Sequence, residues 1–423
     1  MSKARLLAVT CAALLLAGCS GGGAADTDVN LRMTVWTADK SQLALFNGIA
    51  DDYRKSHPDI KSIAFDVIPV DGYTTALTTQ VASSSPPDLA WVLERDAPDF
   101  VDSGALADLT PTFKAANGYD LGELTPTSTK LWQKGGDLYA YPFSTSPFGM
   151  FYNKDLLAQA GVTQDPSQLL AAGQWTWQHA EQMAAQVAAR VSGKSGLVLR
   201  DWEYKMWTVL GTLWGGFGAN GWSADGKTCE FASPQMVAAM TFLHNAIFTD
   251  KALPGPGTTA DFFAGDSGLT VTQISRASLL KSKPFAWGIV PLPAGPAGDA
   301  QVFGQAGIGV LAKGKHAQQA ADFLAFFSDK ANSAKLAQYF PPARDSLVNA
   351  ADLAKVNPLF TPEQLQQVVV DGIRNGTVLA PHTNSAKLQT LVQAALDPLW
   401  KADANVGSVL AGVCKAIDPV LSQ

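Results

Sequence analysis

Charge is scarce in this chain. Only 16% of its 423 residues are charged, against roughly 25% in an ordinary soluble domain, so Gln, Asn, Ser and Thr must carry much of the polar surface. The net charge is −6 and becomes −8 once the N-terminal segment with Lys3 and Arg5 is removed. That balance argues against nucleic acid or an anionic membrane surface as a partner. Histidine is also sparse: five residues, at 57, 179, 244, 316 and 382, with no HExxH or other ligand spacing. No metal or other cofactor is therefore expected. Among the four cysteines there is no Cys-x-x-Cys pair, which leaves no zinc or redox motif. After the first twenty residues no run of 18 apolar residues occurs, so no later segment reads as a membrane span.

The N-terminus is a different matter. Lys3 and Arg5 precede an apolar stretch over 6–17, and small residues follow at 17 and 18. This is the layout of a secretory signal over 1–18, too short to span a bilayer. Leu16, Ala17, Gly18 and Cys19 resemble a bacterial lipobox, in which the cysteine is lipidated and becomes the new N-terminus. Residues 19–28 then form a lipid-bearing, Gly/Ser-rich flexible tether. Cys11 leaves with the signal, and Cys229 and Cys414 remain in a compartment where disulfides persist. They are either bridged to each other or two unrelated buried thiols; spacing alone does not decide.

The mature chain, about 400 residues, is long enough for two or three cores. Strand and helix alternate at its start. An apolar strand at 31–36 leads to a helix that Ser41 can cap and that runs through Lys55, with Leu43, Phe46, Ile49 and Tyr53 on one face. "IAFDVIPV", a helix from Tyr73 and "LAWVL" continue the alternation. Such an order predicts an α/β domain with parallel strands, whose ligands bind at the loops after the strands. Those loops are "WTADK", "PVDGY" and "VLERD". From about residue 180 helices dominate, with the short strands "GLVL", "GLTVT", "FAWGIVPL" and "GIGVLA" between them. There is no internal repeat.

Two stretches imitate catalytic motifs. "GDSGL" at 265–269 has the look of a serine-protease nucleophile loop, but that chemistry needs a histidine base and a carboxylate on an all-β scaffold. It reads more simply as a turn before a buried strand. "GVLAKGKH" at 309–316 falls short of a phosphate loop, because His316 occupies the position of the magnesium-binding hydroxyl. Nothing compels catalysis.

"YPFSTSPFGMFYNKDLLAQAG", 141–161, resembles the signature region of family 1 extracellular solute-binding proteins, the group of maltose-binding protein. "PPDLAWVLERDAPDFVDSGALADLTP" and "GIGVLAKGKHAQQAADFLAFFSD" are similar to two further blocks of that family, in family order. The resemblance implies a two-lobed α/β fold of the periplasmic-binding-protein type II, with about three segments crossing a hinge and the ligand held between the lobes. Mapped onto this chain, it implies a first lobe of 29–143 plus 306–328 and a second of 144–305 plus 329–423. It further implies no catalysis: a monomeric, lipid-anchored subunit on the outer face of the cell membrane that hands a carbohydrate to the permease of an ABC importer.

A sugar shows apolar C–H faces, which aromatic rings cover, and hydroxyls, which planar polar groups bond. Of 11 tryptophans, Trp36, Trp202, Trp214 and Trp222 lie beside predicted loops, whereas Trp287 lies in an apolar run. The resemblance marks Trp36 and Asp39 in the first cleft loop, Asp71 and Tyr73 in the second, and Glu94, Arg95 and Asp96 in the third. It also marks Ser144 and Ser146, where maltose-binding protein has a glutamate. On the second lobe it marks Arg200, Trp202, Glu203 and Tyr204, together with Gln273, Ser275 and Arg276, to which the loop position of Trp214 adds a further candidate. Gly304, Gln305, Arg344 and His382 complete the set. Four arginines (95, 200, 276 and 344) raise the alternative of an anionic ligand such as a glycerophosphodiester. The neighbouring Glu94, Asp96, Asp201 and Glu203 favour neutralised pairs and an uncharged or amino sugar. A secreted glycan hydrolase is a third reading, from another class.

Overall fold

In a computed structural model, the described residues are 28–199, 207–255, 257–378 and 381–422; the signal, Cys19 and the loop carrying Arg200, Trp202, Glu203 and Tyr204 lie outside them. Strand β1 (Val29–Val35) is followed by helix α1 (Lys40–Ser56), strand β2 (Ile60–Val67), helix α2 (Tyr73–Ala82) and strand β3 (Leu89–Leu93). β1 pairs in parallel with both β2 and β3, as alternating strands and helices require. Helix α1 forms close to where the sequence places it, but begins at Lys40, so that Ser41 lies inside it and is not its cap. Asp39 caps it by accepting from Ser41 and Gln42 N–H, and Phe46, Ile49 and Tyr53 are buried along one face.

The sheet continues through β4 (Ala140–Asn153), β5 (Ser195–Leu199), β6 (Ser267–Gln273), β7 (Trp287–Val290) and β8 (Val302–Val310), in the order β2-β1-β3-β8-β4-β6-β5, with β7 also on β4 and the two-residue strand Thr377–Val378 on β8. The Tyr-Pro segment and "FYN" of the signature stretch are one buried strand of 14 residues. Its two prolines sit where the ladder is interrupted. The register with β8 skips Phe143, next to Pro142, and at Pro147 the pairing with β8 ends and that with β6 begins at Phe148. Proline lacks a ladder donor and is tolerated at such points.

This partner switch carries the chain from one hydrophobic core to another. The first core gathers Leu31, Phe46, Trp91, Phe113, Tyr141 and Ile308 among others. The second gathers side chains of β4–β6 with helices α4 (Trp177–Arg190), α5 (Pro234–Phe248), α7 (Ser385–Leu396) and α8 (Val406–Leu421). A third, smaller core joins Phe151 and Ile289 to residues 337–373. Apart from Ala337, which alone turns to the third core, the chain passes between the first core and the other two at three places: between Phe143 and Phe148, between Val302 and Ala306, and between Ala343 and Val348. The last lies beyond residue 328, where the sequence reading ends the first lobe. Helix α6 (Ala317–Phe327) is followed by Leu336, Phe340 and Ala343, which still pack into the first core. A disulfide joins Cys229 to Cys414, with Cα atoms 5.4 Å apart, and ties the 222–229 turn to α8. No helix among the described residues is long and apolar enough to cross a membrane.

A candidate ligand cleft between the lobes

The C-terminal ends of β1 and β3 deliver Trp36 to Lys40 and Glu94 to Asp96 to the seam between the cores, the side on which α/β sheets hold ligands. Two cavities open along that seam. The wider, about 290 Å³, takes Asp39, Ser41, Gln338 and Tyr339 from one side and Ser275, Ser278 and Lys281 from the other, over an apolar floor that includes Ile274, Leu365 and Val369. The narrower, about 20 Å³, lies between Arg95 and the group Thr208, Trp222, His382, Ser385 and Gln389.

Several residues marked in the sequence meet at this seam. Trp36 is half-buried, edge-on to Tyr73 and Trp91 with ring centres 5.1 and 4.7 Å away. Asp39 and Asp71 are exposed. Glu94 and Arg95 are half-buried, and Arg95 Nε lies 3.8 Å from Asp96 Oδ1. Asp96 is buried and accepts from the Thr74 hydroxyl at 2.5 Å and from the Ser385 hydroxyl at 3.4 Å. Burial holds its carboxyl above the usual range, against the pull of those hydroxyls and of Arg95. Ser144 and Ser146 are buried on β4, and the Ser146 Oγ accepts from the exposed Ser275 N–H at 3.2 Å. Gln273 lies across Gly304, where any side chain would collide with the Gln273 amide.

Other residues noted in the sequence are engaged by bonds or packing within the protein. Tyr73 is buried, its hydroxyl 3.0 Å from the carbonyls of both Thr34 and Trp91. Gln305 is buried with its amide fully used: it accepts from Trp132 Nε1 and donates to Ser128 O and Thr145 Oγ1. Arg344 is 1% exposed, lies over the Tyr119 ring, and donates to Ser328 O, Asp120 O and Glu123. Its planar fork serves main-chain carbonyls of the first lobe. The His382 ring is held by the carbonyls of Thr383 and Gly226 and faces the edge of Trp222. Trp214 is buried in the second core, its Nε1 directed at Met240 Sδ. Arg276 lies over the Phe263 ring, 4.9 Å from its centre, and Trp287 packs against Phe151 and Phe360. In "GDSGL", Ser267 is buried in β6 with its hydroxyl on Leu269 O, so no exposed nucleophile exists there.

Sequence reasoning passed over Ser41, Ser278, Lys281, Gln338 and Tyr339 in the wider cavity, Ser385 in the narrower one, and Asp99, which accepts from the Asn384 N–H. Asp99 had a local signal, three residues after Asp96 on the same turn of chain. The contribution of 338–339 had none, since it depends on where the third crossing falls.

The profile of bacterial extracellular solute-binding proteins matches residues 48–362. The chain belongs to this family. Its two-lobed α/β architecture is that of the sugar-binding proteins of ABC importers. A substrate-binding protein of Listeria monocytogenes solved with cycloalternan superimposes with a TM-score of 0.80 at 21% identity, over 93% of this chain and 99% of that one. A Mycobacterium tuberculosis UgpB solved with glycerophosphocholine gives 0.76 at 21%, over 92% and 98%. In sequence, a lipoprotein of Streptomyces antibioticus is 27% identical over 78% of this chain and 74% of its own length.

Proposed function

We propose that this protein is the lipid-anchored binding subunit of an ABC importer, capturing a mono-, di- or oligosaccharide between its lobes and releasing it unchanged to a membrane permease. The observation that carries the sugar reading is the state of the three marked arginines among the described residues. Arg344 is consumed within the first lobe, Arg95 stands beside buried Asp96, and Arg276 lies over Phe263. The rim of the wider cavity is instead largely hydroxyl, amide and carboxylate: Ser41, Ser275, Ser278, Gln338 and Asp39. Such groups suit the donor and acceptor pattern of sugar hydroxyls. Hinge closure is the working motion, favoured by a ligand that touches both lobes only in the closed form.

Lys281 at the same cavity, with the likeness to a protein solved with glycerophosphocholine, keeps a glycerophosphodiester as the second reading. A thermal-shift screen over sugars, amino sugars and glycerophosphodiesters separates the two. A ligand at a hundred times its Kd stabilises the folded state by about 2.7 kcal/mol, well within detection. A rise with phosphodiesters alone overturns the sugar assignment, and chemical turnover of any glycan overturns the binding-protein reading itself.

A further inference from the structure

The two lobes touch directly at a place where no ligand is needed. Asp99, on helix α3 (Ala97–Asp102), accepts from the main-chain N–H of Asn384 at 2.9 Å, and Asp96 accepts from the Ser385 hydroxyl. α3 belongs to the first lobe through Ala97, Phe100 and Val101; α7, which begins at Ser385, belongs to the second through Leu388, Val392 and Leu396. The contact therefore spans the hinge. Its receiving side is built for it. Asn384 has φ 63°, a left-handed conformation that asparagine tolerates better than most residues, and it directs its N–H out of the helix start toward Asp99. The adjoining His382 is fixed to the second lobe through Gly226 O. Two carboxylates thus meet the positive end of a 12-residue helix.

We infer that Asp99, assisted by Asp96, is a latch that holds the lobes together across the cleft mouth, so that closure has a component independent of the ligand. A charge-assisted bond to a main-chain N–H is made only when the lobes are closed, and it is broken and replaced by water on opening. The latch rests on the hinged clamp described above and on no particular ligand. Its consequence is that part of the closed population exists before capture.

The test takes the chain from Asp28 onward, which carries every described element, with spin labels on cysteines introduced at exposed Lys114 in the first lobe and exposed Ala189 in the second. Cys229 and Cys414 are bonded to each other and take no label. Pulsed electron paramagnetic resonance without ligand reads the short and long interlobe separations. The expected result is a populated short separation in the parent and a shift of about tenfold toward the long one in Asp99→Ala. Asp102→Ala removes the same charge from the same helix but breaks only the ion pair with Lys134, 2.9 Å away within the first lobe, and should leave the distribution unchanged. Ser385→Ala should move it in the Asp99→Ala direction by less, and decides the matter if Asp99→Ala does not fold. Identical distributions in the folded parent and variants, or a parent found only at the long separation, overturn the latch. Adding sugar is a separate arm: if the parent's distances ignore every sugar while Asp99→Ala still shifts them, the latch stands and the sugar reading falls.

Discussion

Arg344 and Glu123 are joined at 3.2 Å, with the arginine sealed inside the first lobe and its guanidinium over the Tyr119 ring. The same arginine donates to two main-chain carbonyls, those of Ser328 and Asp120. Arg344→Leu strands those acceptors together with Glu123. Loss of one partner from such a buried network costs about 3 kcal/mol, so urea unfolding should show a clearly lower midpoint. Ligand affinity, measured on the folded variant, should change little. The opposite pattern, intact stability with lost binding, would return Arg344 to the cleft.

The bridge between Cys229 and Cys414 closes a loop of 185 residues in sequence separation. Cross-linking so distant a pair restricts the unfolded chain, and removing a native disulfide typically costs 2–5 kcal/mol. Cys229→Ser should therefore lower the melting temperature by several degrees. Because both cysteines pack against the second core alone, the first lobe should keep its near-ultraviolet signature at temperatures where the second has lost its own. A single cooperative transition at the parent's temperature would show that the bridge contributes nothing.

Much of this architecture is legible in the sequence because it is local. The apolar face of α1, the strand "LAWVL" and the run "GLTVT" each announce themselves by periodicity within ten or so residues. The prolines of β4 mislead for the same reason: locally, Pro142 and Pro147 argue against a continuous strand, and only the partner change at 147–148 explains them. Site residues divide likewise. Asp39 and Asp96 follow from strand ends, which sequence locates well. Arg344, Tyr73 and Gln305 look equally exposed to function, and their buried bonds to Ser328, Thr34 and Ser128 join positions 16, 39 and 177 residues apart. No local pattern encodes such pairings.

Glu181, on α4, shares a hydrogen bond with Asp250 just after α5; burial first, then that bond and the neighbouring charge, push its carboxyl up from 4.5 to about 7. A raised folded value means that the native state holds a proton the unfolded chain has lost. Stability from this group is thus full below pH 4.5 and falls as pH rises toward 7, with a slope of at most about 1.4 kcal/mol per pH unit for one proton. Buried Asp96 contributes in the same direction. Carboxylates held low, such as Asp352 beside Lys355, act only at more acid pH. Glu181→Gln should flatten the decline between pH 4.5 and 7 in denaturant titrations. An unchanged slope would mean that the pair does not share a proton.

Anchoring is a prediction about one atom, the Cys19 sulfur. With the cysteine lipidated, the protein should partition into the detergent phase when cells are extracted with a clouding detergent. Each buried CH2 of an acyl chain adds about 0.8 kcal/mol of membrane affinity, while the mature chain offers no apolar span among its described helices. Cys19→Ala should move it to the aqueous phase. Persistence in the detergent phase would point to another mode of attachment.

Trp36, at the end of β1, is an incompletely covered indole beside the seam. Tyr73 and Trp91 touch it edge-on, and it is half-buried, whereas Trp91 and Trp132 are fully covered by the first core. Stacking a sugar face on an indole contributes about 1–2 kcal/mol beyond what hydroxyl contacts supply. Trp36→Ala should therefore weaken the Kd of the sugar identified by the thermal screen roughly 5- to 30-fold, with Trp36→Phe intermediate. Because the alanine variant also loses packing against Trp91, titration belongs well below its melting temperature, where a folded lobe can be shown by circular dichroism. A graded loss across tryptophan, phenylalanine and alanine is the signature of a stacking surface. A Kd unchanged in both variants would place the ligand elsewhere along the seam, nearer Ser275 and Gln338 than the end of β1.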